Sequence, residues 1–245
     1  MKKIVSIGLL FYFLIPQLSS QFNNLRIGIQ LSPTISSIES KDNRINSNGS
    51  NVGLKFGTIL EWYLSPNISL NSGLNFSFNE GGKLRYDYGG DLLAGTELSS
   101  ENLHDLPDGV NIRYNIKYIE LPFHFKFRTN ENNKLRYYAA LPIINFAFRT
   151  KARAKIQGGD IDIKEENINK AVSFINISYG IGGGVEYSLN EDLSLQIGLH
   201  LMKSFFDVIP NNGTQTISEE GIISIKDEDS FARLSSINLR IAILF

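Results

Sequence analysis

Asn67-Ile-Ser-Leu-Asn-Ser-Gly-Leu-Asn-Phe-Ser-Phe-Asn79 alternates with a period of two. Ile68, Leu70, Leu74, Phe76 and Phe78 fall on one face, and Ser69, Asn71, Gly73, Asn75, Ser77 and Asn79 on the other. Successive side chains of an extended strand point to opposite faces of the pleat, so this is a strand with two unlike faces. A soluble sandwich buries its apolar face, whereas a membrane barrel turns that face to lipid and keeps the polar one within. The rest of the chain decides between them.

Seven further segments carry the same pattern. They run from Leu25 to about Ser36, Val52 to Leu64, Ile112 to Arg128, Lys134 to about Arg149, Ala171 to Ser188, Asp192 to about Phe206, and through Ile237 to the terminal Phe245. The Lys134 segment is apolar on both faces around Tyr137 to Ile144, and a bulge near Pro142 restores its phase. Connections alternate in length. Ser65-Pro66-Asn67, Thr129 to Asn133 and Leu189-Asn190-Glu191 are tight polar turns, while Ser37 to Asn51, Glu80 to Asn111, Thr150 to Lys170 and Asp207 to Ser230 are long and polar. Short periplasmic turns opposed to long extracellular loops are the habit of an up-and-down membrane barrel. The expected fold is therefore all-β: an eight-stranded antiparallel up-and-down transmembrane β-barrel.

Glycine usage gives the faces their direction. Gly57, Gly73, Gly180, Gly182, Gly184 and Gly198 lie mostly on polar faces, where a water-exposed surface has no need of small residues but the crowded interior of a narrow barrel does. Arg26, Lys55, Lys126, Arg128 and Arg240 then share that interior with Glu61, Glu120 and Glu186, alongside His124 and His200. A charge left desolvated and alone costs several kcal/mol, so these residues are expected to form an ion-pair and hydrogen-bond network that plugs the lumen. A diffusion channel is the functional alternative, and eight strands argue against it. Trp62, Tyr63, Tyr118, Tyr187 and Phe245 suit the aromatic girdles at the two membrane interfaces.

Bulk properties exclude several classes. The 245 residues carry a formal net charge of -1, with no long basic stretch, which argues against a nucleic-acid partner. There is no Cys, so disulfides, thiolate metal sites, cysteine nucleophiles and a lipid-modified N-terminal cysteine are all excluded. Met1-Lys2-Lys3, the apolar stretch Ile4 to Pro16 and the small residues before Gln21 read as a signal peptide over residues 1–20, cleaved after Ser20, with residues 21–245 as the barrel domain. An N-terminal membrane anchor is the alternative, for which the apolar stretch is short. The expected location is the outer membrane.

Tyr118-Ile-Glu-Leu-Pro-Phe-His-Phe-Lys126 resembles the Tyr-x-Glu-x-Pro strand of the PorT-like outer-membrane β-barrel proteins of Bacteroidetes, and Gly180-Ile-Gly-Gly-Gly-Val-Glu-Tyr187 resembles that family's glycine-rich sixth strand. The chain also ends in an aromatic, Phe245, as outer-membrane barrels commonly do for recognition by the insertion machinery. The resemblance covers the chain from residue 21 onward. It implies an outer-membrane protein with no catalytic residues to carry over, set among outer-membrane lipid and lipopolysaccharide, delivered by the barrel insertion machinery, with envelope or secretion-system proteins as partners.

Two other functions stay open at this point. A lipid-modifying barrel enzyme needs a nucleophile and base near the rim, and His200 with Ser204 or Ser230 is the nearest pairing in sequence. No nucleophile motif accompanies His124 or His200, so interior polar filling is the plainer reading. A secreted lipocalin-like binder needs the apolar faces to line a cavity. The acidic stretch holding Asp207, Glu219, Glu220, Asp227, Glu228 and Asp229 offers oxygen ligands to divalent cations without calcium-loop spacing, which favours a solvated loop. The expectation is a non-enzymatic protein with no cofactor and no metal.

Overall fold

The computed structural model describes residues 24–210, 213–219, 222–228 and 230–245. The signal-peptide segment, Glu220 and Asp229 lie outside the described residues. Among the described residues there are twelve strands: β1 (Leu25–Glu39), β2 (Ile45–Ser65), β3 (Ile68–Ser72), β4 (Asn75–Tyr86), β5 (Asn111–Arg128), β6 (Leu135–Gly158), β7 (Ile161–Asn167), β8 (Ile175–Ser188), β9 (Ser194–Ser204), β10 (Thr214–Glu219), β11 (Ile222–Asp227) and β12 (Arg233–Leu244).

This corrects the expected eight-stranded up-and-down barrel. Ten strands form one sheet in the order β3-β5-β4-β2-β1-β12-β9-β8-β6-β7, and β10 with β11 form a separate hairpin. The count differs for two physical reasons. The opening segment is interrupted between Ser72 and Asn75, so it supplies both β3 and β4. The stretches expected as long loops are largely extended chain: β2 starts at Ile45, β4 continues to Tyr86, β6 continues to Gly158, and β7, β10 and β11 lie wholly within them. Polar residues there had the look of loops because they face water on one side of a strand.

All pairings in the large sheet are antiparallel, and β5 pairs with β6 as well as with β4. The sheet therefore wraps round an interior. Along most of its height the apolar side chains face outward: Trp62, Ile181 and Leu199 are 59%, 59% and 54% exposed. Their neighbours Glu61, Lys126 and Glu186 face inward and are buried at 0%, 1% and 1%. In the opening segment Ser69, Asn71, Gly73, Asn75 and Ser77 are buried and Leu74 and Phe76 exposed. This outward apolar belt includes Ile29 and Ile35 on β1, Phe123 to Phe127 on β5 and Ile237 to Ile243 on β12. No described helix is long and apolar enough to cross a membrane.

Beyond the belt, β2, β4, β5 and β6 continue, with β7 added, as a wall whose faces are reversed. Ile112, Tyr114, Ile116 and Tyr118 face inward and are fully buried, as are Leu84, Tyr86, Ala152, Ala154 and Ile156 on the neighbouring strands. Leu92, Leu103, Leu106, Val172 and Val208 from the connections pack on them to complete a hydrophobic core. Tyr86 and Tyr114 share a 2.8 Å hydroxyl hydrogen bond within it, and burial pushes both phenols well above the usual tyrosine value.

Bulges mark the crossing from belt to wall. In β4 the register against β5 shifts between Ser77 and Glu80, with Asn79 at φ 60. Asn79, expected on the interior face, instead lies outside and its amide donates to Val52 O at 2.7 Å. The extra residue turns Glu80 inward, where unbroken alternation after Phe78 would have sent it to the lipid side. A second shift opposite Lys117 and Tyr118 does the same for β6, so that Phe146 and Phe148 face out below it and Lys151, Arg153 and Lys155 above it. A further shift between Ala140 and Ile143 in the β6–β8 ladder answers the apolar stretch around Pro142.

Candidate functional site

Eight strands deliver the interior polar groups to three levels, seven of them by alternation and β4 through its bulge. The first gathers Arg26 from β1, Glu61 and Tyr63 from β2, Ser69 from β3, Lys126 and Arg128 from β5, Glu186 from β8, and Ser194 and Gln196 from β9. Lys126 Nζ lies 2.8 Å from Glu61 Oε1 and 2.7 Å from Glu186 Oε2. Arg26 Nη1 reaches Glu186 Oε1 at 2.8 Å, Arg128 Nη1 lies 3.5 Å from the same oxygen, and Arg26 also donates to the Ser194 hydroxyl. The Tyr63 hydroxyl accepts from Arg26 at 2.8 Å and Arg128 at 2.7 Å and donates to Glu61 Oε2 at 3.2 Å. Ser69 and Gln196 donate to the two carboxylates at 2.7 and 3.0 Å.

Nearer the wall, Lys55 of β2 bridges Glu80 of β4 and Glu120 of β5 at 2.6 and 2.9 Å. Three cations against two carboxylates on the first level and one against two on this one make the pair of clusters neutral together. Between them on β5 stands His124, facing His200 of β9 with ring centroids 5.8 Å apart, and Arg240 of β12, whose Nη1 lies 3.4 Å from His124 Nε2. Two glycines make room for this level. A Cβ on Gly182 would sit 2.3 Å from His200 Cδ2, and one on Gly198 would sit 2.2 Å from the Tyr138 hydroxyl. Every strand position occupied by a larger residue there would displace one of these rings.

The structure thus places Lys55, Glu61, Glu120, His124, Lys126, Arg128, Glu186, His200 and Arg240 in the interior, all buried, with Arg26 half-buried at its edge. Sequence reading missed Glu80, hidden by the bulge. It also assigned Tyr63 and Tyr118 to the aromatic girdles, whereas Tyr63 binds the interior arginines and Tyr118 is buried in the wall core. Parity could have found Tyr63, which is in phase with Lys55 and Glu61. Trp62 and Tyr187 do face outward. Phe245 closes β12 by exchanging two backbone hydrogen bonds with Ile27, at 2.8 and 3.1 Å.

Neither serine paired with His200 from the sequence stands beside it. Ser204 is four residues from His200 on the same strand, about 13 Å along it, and the Ser230 hydroxyl donates to Ile209 O. His104 lies outside the interior, with Nδ1 3.2 Å from Asp91 Oδ1. Among the described residues no group of three or more His, Asp or Glu side chains is arranged to hold a metal ion. Within the acidic stretch, Asp227 pairs with Thr214 across the β10–β11 hairpin.

A sheet wrapped round a polar, ion-paired interior and carrying a continuous apolar belt outside is a membrane β-barrel protein, because backbone in lipid must be hydrogen-bonded within the sheet. The chain belongs to the family of outer membrane protein beta-barrel domains, whose model matches residues 17–210, and it is accordingly an outer-membrane protein. No curated protein sequence matches it significantly. Among solved structures it is similar to neisserial surface protein A, with 10% identity, 90% of this chain and 95% of that one covered, and a TM-score of 0.41. A major outer membrane protein from Thermus thermophilus matches with 12% identity, 90% and 99% coverage and a TM-score of 0.43. The outer membrane protease OmpT from Escherichia coli matches with 8% identity, 92% and 97% coverage and a TM-score of 0.42.

Proposed function

We propose that this chain is a non-enzymatic outer-membrane protein that serves as a structural or accessory partner in an envelope or protein-secretion assembly. The observation that carries this reading is the filled interior. Two ion-pair clusters occupy the belt, and the wall beyond them is closed by a hydrophobic core, which among the described residues leaves neither a wet conduit nor a nucleophile beside a base. What the protein offers to others is then its outer surface. Above the belt, Lys83 of β4, Arg113 of β5 and Lys155 of β6 stand in direct register, as do Lys117 and Lys151, the last of them 3.7 Å from Glu165. Like charges opposed across strands repel, so this row suits an anionic neighbour, and the phosphates of surrounding lipid or lipopolysaccharide lie next to the apolar belt. Export by cleavage after Ser20, delivery by the insertion machinery through Phe245 and the narrower likeness to PorT-like barrels of Bacteroidetes, carried by Tyr118 to Lys126 and Gly180 to Tyr187, belong to the same proposal.

The test is reconstitution of the full protein into planar bilayers, together with recovery of its complexes from solubilised envelope. The expected results are an absence of stepwise conductance and recovery of a stoichiometric envelope protein. Stable single-channel conductance, or turnover of envelope lipid by the purified protein, would overturn it.

A further inference from the structure

Arg240 is the one buried interior cation in the belt that forms no ion pair among the described residues. Its side chain is 5% exposed, its Nε has no hydrogen-bond partner, and its nearest polar contact is the 3.4 Å approach to His124. The carboxylates that could answer it are engaged elsewhere: Glu61 and Glu186 with Lys126, Glu80 and Glu120 with Lys55. Since those clusters are neutral together, Arg240 leaves one positive charge over in the interior, on a buried side chain. A buried charge without a counter-charge destabilises the fold.

The space beside it has the matching form. Lys55, Glu120, His124, His200, Asn238 and Arg240 line a cavity of about 50 Å³, room for a monatomic ion and a water or two, with the Glu120 carboxylate held by Lys55 at 2.9 Å. His124 Nδ1, His200 Nε2 and the Tyr138 hydroxyl are buried without partners at the same level. Each can present a hydrogen atom to an acceptor, whereas none of them can neutralise a guanidinium. Water alone would satisfy the donors and leave the charge. A carboxylate larger than formate would exceed the volume.

We propose that this cavity holds a single monovalent inorganic anion of the halide class, bound against the Arg240 guanidinium between the two histidine rings. It adds a ligand to the interior without altering the outer-surface role above, and it stands or falls separately from that role. The protein refolded into detergent micelles in chloride should be more stable than in gluconate of equal ionic strength. Above the dissociation constant, the unfolding equilibrium constant should fall about tenfold for each tenfold rise in chloride, as one-site linkage requires. Arg240→Met should abolish that dependence. Crystals of the unaltered protein grown in bromide should show one anomalous peak beside Arg240, a readout that does not need the variant to fold. Equal stability in chloride and gluconate, a chloride dependence that persists in Arg240→Met, or no bromide peak in the cavity would each overturn the proposal.

Discussion

Strand β5 passes through two environments, and its two faces exchange roles between them. From Glu120 to Arg128 the inward side chains are Glu120, His124, Lys126 and Arg128, and the outward ones include Phe123, Phe125 and Phe127. From Asn111 to Tyr118 the inward ones are Ile112, Tyr114, Ile116 and Tyr118, and the outward ones are Arg113, Asn115 and Lys117. The backbone alternation is continuous, so the exchange reports the medium and not the fold: lipid outside the belt, water outside the wall. In the belt the hydrophobic effect does not drive closure, because apolar side chains meet solvent of their own kind, and specificity has to come from polar groups within. In the wall the ordinary apolar core returns.

The largest expected effect attacks the belt's interior. Lys126→Met removes the ammonium shared by Glu61 and Glu186 while keeping the volume of the stem. Breaking one partner out of a buried ionic network costs about 3–5 kcal/mol, because the remaining carboxylates stay desolvated. Urea unfolding in micelles should show that loss. A midpoint equal to that of the unaltered protein would mean that the interior is hydrated enough to screen its charges, and the contrast between belt and wall would weaken.

A pair of substitutions on one face of β5 then tests which medium lies outside. Phe125 and Asn115 both point outward on the same strand. Phe125→Arg puts a charge against the hydrocarbon layer, at a cost of about 2–4 kcal/mol if it lies near the midplane, whereas Asn115→Arg stays in water, gives up only the 3.1 Å hydrogen bond from Asn51 and should cost about 1 kcal/mol. Folding yield into lipid vesicles measures both. Equal tolerance at the two positions would place lipid and water wrongly along the strand.

Much of the belt is legible in the sequence and little of the wall is. Alternation names the interior residues from Arg26 to Arg240 because lipid outside enforces a strict two-residue period. The wall obeys the same period with the polarity exchanged, so Ile112 to Tyr118 cannot be told from a belt strand by periodicity alone. The Lys117-to-Ile119 change from charged to apolar on one face is the trace that was available. Bulges erase even that in β4 and β6: Asn79 and Glu80 trade faces through a single added residue, and the signal for it is only the Asn79-Glu80-Gly81-Gly82 run. Strand count failed for the same reason. The polar stretches that become β7, β10 and β11 have one solvated face and no strong apolar stripe, and so read as loops.

The smallest expected effect concerns the wall's outer surface, and its sign is what matters. Arg113 stands between Lys83 and Lys155 in register, a row of three like charges across adjacent strands. Replacing Lys155 by Glu sets an opposite charge across from Arg113 in place of a like one, and cross-strand charge pairs are worth about 0.2–1 kcal/mol. Lys155→Glu should therefore raise the wall's protection in hydrogen exchange slightly while lowering the binding of anionic lipid to the protein folded in micelles, with binding of zwitterionic lipid unchanged. A surface selected only for folding would not hold the repulsive arrangement. If Lys155→Glu left both readouts unmoved, the row would be ordinary solvated charge, and the wall would differ from the belt in its core alone.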